Sequence, residues 1–102
     1  MNSFCQLLEW FDKALNIREK VLGKEHPNTA MTYNNIAIVH GTQGDFNTAL
    51  VWYGKALRVD NKVWGPGHMH FNSTRDNAEF AYARSGREAP FADWLAETLA
   101  GD

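Results

Sequence analysis

Apolar residues in the segment DFNTALVWYGKALRVD, residues 45–60, fall at Phe46, Ala49, Leu50, Tyr53, Ala56 and Leu57. Steps of three and four place them on one face of an α-helix. Small Ala49 and Ala56 alternate with larger residues, which suits a helix that lets a neighbour approach closely. Gly44 and Asp45 supply a turn and an N-cap just ahead of it. Upstream, Phe4, Leu7, Leu8, Phe11, Ala14 and Leu15 predict a first helix over residues 3–22, with Ser3 as its cap and Gly23 as its stop. The polar run GKEHPN connects it to a second helix over Thr29–Thr42, patterned on Tyr33, Ile36, Ala37 and His40, with Pro27 close to its start. The connector VDNKVWGPGHMHF leads to a fourth helix over Asn72–Ser85, ended by Gly86. Pro90 then fits the first turn of a fifth helix over Ala89–Ala100 that carries Phe91, Trp94, Leu95 and Leu99.

The pattern repeats itself. A shift of 42 positions lays Leu8, Trp10, Lys13, Ala14, Leu15, Lys20, Val21, Gly23 and His26 on Leu50, Trp52, Lys55, Ala56, Leu57, Lys62, Val63, Gly65 and His68. Thr32, Asn35 and Gly44 meet Thr74, Asn77 and Gly86 at the same offset. Over residues 8–44 roughly a third of the aligned positions are identical, far more than one arbitrary offset would give. The expected fold is therefore all-α, built of antiparallel helix-turn-helix repeats. The five helices make about two and a half repeats in one domain spanning 1–102: a half repeat over 3–28, a full one over 29–70, and a degenerate capping repeat over 71–102.

Composition narrows the functional classes. The chain is 44% hydrophobic and 22% charged, in the ordinary globular range, and its net charge of −2 is spread among interspersed acids and bases. No basic patch suggests nucleic-acid binding. No apolar run approaches a membrane span, and the N-terminus lacks a basic-then-apolar leader pattern. A single Cys5 rules out an internal disulfide framework, so a cytoplasmic location is the expectation. Cys5 has no activating base in view and is expected to be a small packed residue. His68-x-His70 lies in a connector without a Cys or carboxylate cluster to complete a metal site, so neither metal nor cofactor is expected. Gly65-Pro66-Gly67 is a turn without the Lys-Ser/Thr of a phosphate loop. No catalytic constellation is present, and an enzyme is not expected.

Tyr33, Ile36, Ala37, His40, Gly44, Phe46, Ala49, Tyr53 and Ala56 resemble the signature of the tetratricopeptide repeat (TPR) family. The 42-residue period, with ALNIREKVLGKEHPNT and TYNNIAIV, resembles the kinesin-light-chain type of that repeat. The resemblance is strong over residues 8–57 and weak beyond Phe71. It implies a right-handed superhelix of helix pairs whose front helices line a concave, peptide-binding groove. Carried over by position, the groove residues are Met31, Asn34, Ile38 and Thr42 on one front helix and Ser73, Asp76, Phe80 and Arg84 on the other. Asn35 and Asn77 would brace neighbouring helices. Some kinesin-light-chain ligands are acidic, and Asp76 would repel such a peptide, although Arg75 and Arg84 are near.

Departures from the pattern carry expectations too. Glu79, Glu88 and Thr98 replace the residue types of Ala37, Phe46 and Ala56, as the polar end of a solenoid would. Alternatively the fourth helix is rotated so that Phe80 and Tyr82 take over packing. The first repeat lacks its front helix, leaving an apolar face for more chain, a partner protein or a second copy to cover. Self-association through Phe4, Leu7, Leu8 and Phe11 is the expectation, with exchange of a terminal helix as one form of it. Trp10, Trp52 and Trp94 share one repeat phase and should all be packing residues. Trp64, in a connector, is a candidate for exposure. The function expected is a protein–protein interaction module with a protein or peptide partner; the alternative is a structural homo-oligomer without a separate groove.

Overall fold

A computed structural model describes residues 3–101. Its five helices are α1 (Ser3–Val21), α2 (Pro27–Thr42), α3 (Phe46–Val63), α4 (Met69–Arg84) and α5 (Phe91–Ala100), and no strand occurs among the described residues. The five elements fall where the hydrophobic periodicity places them. Two starts come earlier than the sequence pattern suggests, for one reason. His26 Nδ1 accepts the Asn28 amide at 3.0 Å, and His68 Nδ1 accepts the His70 amide at 3.2 Å, so histidines cap α2 and α4. Histidine is not among the favoured cap residues, which hid both starts. Asp45 does cap α3, accepting from the Thr48 amide at 3.3 Å. Pro90 takes the cap position of α5 rather than its first turn. Gly44 and Gly86, one repeat apart, turn the chain at φ +83° and +81°, a region that side chains disfavour.

Helix α3 is the centre of the molecule because it is apolar on two faces. Leu50, Tyr53 and Leu57 pack with Phe71, Ala78, Ala81 and Tyr82 of α4. Ala56, Val59 and half-buried Trp52 pack with Ala30, Tyr33 and Ile36 of α2 and with Leu15 of α1. The Tyr33 and Trp52 rings lie 5.9 Å apart. Helix α4 keeps the register of α2: Thr32 and Thr74, Ile36 and Ala78, Val39 and Ala81 are buried pairs 42 residues apart. It is not rotated; Tyr82 is buried while Phe80 stays on the surface. Helix α5 rests mainly on α3, where Gly54 lets it close in.

The same register corrects the reading of α1. Leu8, Phe11 and Leu15 are the counterparts of Leu50, Tyr53 and Leu57, and like them they pack inside the chain, against α2. Two of the four residues expected to drive self-association, Leu8 and Phe11, are therefore engaged within the protein. Phe4 is half-buried, and Leu7 is exposed. The open stripe is Leu7, Trp10, Ala14, Ile17 and Val21, counterparts of Ala49, Trp52, Ala56, Val59 and Val63 on α3. Trp10 is 73% exposed, in contrast to half-buried Trp52 and Trp94, because no helix equivalent to α2 stands before α1 in the described chain. Cys5 is exposed rather than packed; its counterpart Asn47 is exposed too.

Candidate functional site

Helices α2 and α4 approach each other at Asn34, whose Oδ1 accepts from Asn77 Nδ2 at 3.5 Å. The brace thus joins Asn34 to Asn77, while Asn35 is exposed. Two cavities lie along the α2–α4 groove, one on each side of this contact.

The first, about 410 Å³, is lined by Ile38, Thr42, Asp76 and Phe80 together with Phe46, Tyr53 and Asn77. Four of the eight expected groove residues meet here. Ile38 is 41% and Phe80 59% exposed, large apolar surfaces left to water at the rim. Thr42 donates its hydroxyl to the Ile38 carbonyl at 2.8 Å, as helix-internal threonines do. The Arg84 guanidinium carbon lies 3.5 Å from the Phe80 ring centroid and a guanidinium N–H bonds the Phe80 carbonyl at 3.3 Å, so Arg84 braces Phe80 from outside the cavity. Arg75 pairs with Asp76 at 3.2 Å. Ser73 is exposed and lines neither cavity.

The second cavity, about 140 Å³, holds two more of the expected residues, Met31 and Asn34. Its other walls are Pro27, Asn28 and Ala30 at the start of α2, Asp60 and Trp64 from the end of α3, and His70 and Thr74 of α4. Sequence reasoning missed this set because Asp60 belongs to the back helix and reaches the groove from beneath. One signal was available: Asp60 is a carboxylate at a register position whose first copy, Arg18, carries the opposite charge. Arg18 donates to Thr32 Oγ1 at 3.1 Å and to the Asn28 carbonyl at 2.8 Å. In the second copy the Thr74 hydroxyl donates instead, to Asp60 Oδ2 at 3.1 Å. Burial pushes the Asp60 carboxyl above the usual carboxylate range, opposed by the Thr74 hydrogen bond and by His70 and His68 nearby. The His68 ring stacks on Trp64 with centroids 4.5 Å apart, and the His70 ring is tilted against it at 5.5 Å.

A sequence profile described as tetratricopeptide repeat matches residues 6–62, more than half of the chain. The chain belongs to the tetratricopeptide repeat family. The match takes in most of α1, all of α2 and nearly all of α3, and stops short of α4. Repeats of this family are non-enzymatic scaffolds that mediate protein–protein interaction. No curated protein matches the chain. Among the described residues, no helix of this TPR chain is long and apolar enough to cross a membrane.

Proposed function

We propose that this TPR chain is a cytoplasmic scaffold module that captures an extended segment of a partner protein in the concave groove between α2 and α4. The observation that carries the reading is the 410 Å³ cavity, where Ile38 and Phe80 present apolar surface beside the polar groups of Thr42, Asp76 and Asn77. Sites for peptides combine apolar lining with a few oriented polar groups in this way. The period and the α1–α2 connector favour the kinesin-light-chain type of repeat, and α4, the most polar helix, then serves with α5 as the capping repeat of a right-handed array. Peptides selected from a displayed random library test this. They should lose at least about tenfold in affinity when Ile38→Asp and Phe80→Asp are combined, since a charge then replaces buried apolar contact. Unchanged affinity would move the binding site elsewhere.

A second reading has its own observation. The stripe Leu7, Trp10, Ala14, Ile17 and Val21 repeats at alternating steps of three and four, the spacing of a helix–helix seam. Four of these residues are exposed. By register it is the face that α3 gives to α2, so its occupant is a helix. Self-association through α1 satisfies it, with two copies meeting across a twofold axis.

A further inference from the structure

The smaller cavity contains one carboxylate, and the titratable groups nearest to it are the His70 and His68 imidazoles. Asp60 is 5% exposed, and among the described residues no Lys or Arg pairs with it or lines the cavity. Its single hydrogen-bond donor there is the Thr74 hydroxyl, at 3.1 Å, and that hydroxyl lies equally close to the His70 carbonyl. One hydroxyl proton thus faces two acceptors. A buried carboxylate is normally matched by a cation or by several donors, and this one has half a donor.

The preceding helix junction offers the comparison. There the Arg18 guanidinium feeds Thr32 Oγ1, and Thr32 passes its own proton to the Asn28 carbonyl at 3.3 Å. Every group in that relay is satisfied. With Asp60 at the equivalent place, the relay of Thr74 and His70 lacks its cationic member. In the larger cavity the one charged lining residue is Asp76, which pairs with Arg75 at 3.2 Å, so the unmatched carboxylate of the groove is Asp60. Trp64, exposed by 42%, forms part of the wall beside Asp60 and offers a surface for an alkyl stem or a cation.

We propose that the smaller cavity receives the cationic side chain, Lys or Arg, of a peptide lying in the α2–α4 groove, its charge held at the Asp60 carboxylate and its stem against Trp64. The inference rests on the groove being the peptide site, and it adds the ligand's chemistry: one basic side chain, with an apolar one on the far side of the Asn34–Asn77 contact, against Ile38 and Phe80. The acidic ligands that the kinesin-light-chain resemblance brings with it are then disfavoured at the smaller cavity, since they would meet Asp60.

Fluorescently labelled heptapeptide pools test this, each N-acetylated and C-amidated, with Lys, Arg, citrulline, Glu or Leu fixed at the centre and the other positions random. By anisotropy at neutral pH, the Lys and Arg pools should bind at least about tenfold more tightly than the citrulline and Glu pools, the factor that a charge-assisted contact supplies. Asp60→Asn should erase that preference while leaving the Leu pool unchanged. Trp64→Leu, at a half-exposed position, should weaken the Lys and Arg pools selectively and so gives an independent reading. Equal binding of citrulline and Arg pools, or a preference that survives both substitutions, overturns the inference. If peptides bind without charge preference and the combined Ile38→Asp and Phe80→Asp variant abolishes binding, the groove stands and the basic ligand falls. If no pool binds, both fall together.

Discussion

Thr74 and Thr32 occupy the same place in successive repeats, each buried and each sharing its hydroxyl with the residue 14 positions earlier, yet one meets Asp60 and the other Arg18. An acid replaces a base at a site that water scarcely reaches. The stability consequence has a definite sign. Burial raises the Asp60 pKa in the folded chain, so the folded state holds this proton more tightly than the unfolded one. The resulting stabilisation is full below the unfolded value near 3.8 and is lost as pH rises through the raised value. Asp60→Asn mimics the protonated acid and keeps an acceptor for Thr74. It should match the native protein in stability near pH 3 and exceed it at pH 7 in urea denaturation. A variant less stable at pH 7 than at pH 3, relative to the native chain, would contradict this.

The Tyr33 hydroxyl donates to Glu19 Oε2 at 2.7 Å and ties α2 to α1. Burial and this carboxylate together push the phenol far above its ordinary pKa, so it stays protonated and donating throughout the accessible range. Tyr33→Phe should lower stability by about 1 kcal/mol, the usual net value of such a bond. The change should be independent of pH between 6 and 9, as two-state denaturation would report.

Gly54 marks where α5 seats on α3. A Cβ there would lie 3.3 Å from Thr98 Cγ2 and 3.9 Å from the Trp94 ring. Gly54→Val should therefore push α5 outward, costing about 1–3 kcal/mol and shifting Trp94 emission to the red. Gly54→Ala gains helix propensity of up to about 1 kcal/mol, and the close contact takes back part of it.

The two faces of α1 predict opposite behaviour. Leu15 is buried in the cluster shared with α2 and α3, and Leu15→Ala should cost about 2–5 kcal/mol. Trp10→Glu with Ile17→Glu alters only the exposed stripe. It should leave the monomer's melting temperature within a few degrees while reducing any oligomer to the 11.6 kDa chain in light scattering. An assembly that survives both changes would exclude the stripe as its interface.

Helix number, order and pairing were legible because α3's apolar residues serve two neighbours at helical spacing and the 42-residue shift repeats them. The helix starts were less legible, since His26 and His68 cap through a ring nitrogen that composition rules do not anticipate. On α1 the sequence displays one continuous apolar arc. Only packing divides it into Leu8, Phe11 and Leu15 turned inward and Leu7, Trp10, Ile17 and Val21 turned out. Six of the eight residues carried over from the family resemblance line the two cavities between α2 and α4, because the resemblance fixes which turn of each front helix faces its neighbour. Asp60 escaped notice, and Trp64 was legible only as an exposed connector residue, because the back helix α3 and its end bring them there, which no pattern within the front helices encodes.

Amide chemical-shift mapping on the full chain, with a peptide selected from the displayed library, addresses the groove most directly. Perturbations concentrated at Ile38, Thr42, Asp76, Asn77 and Phe80, with Asp60, Trp64 and Thr74 joining when the peptide carries Lys or Arg, are the expected result. Perturbations confined to Leu7, Trp10, Ile17 and Val21, with the α2–α4 groove unmoved, would make α1 the docking face and contradict the assignment.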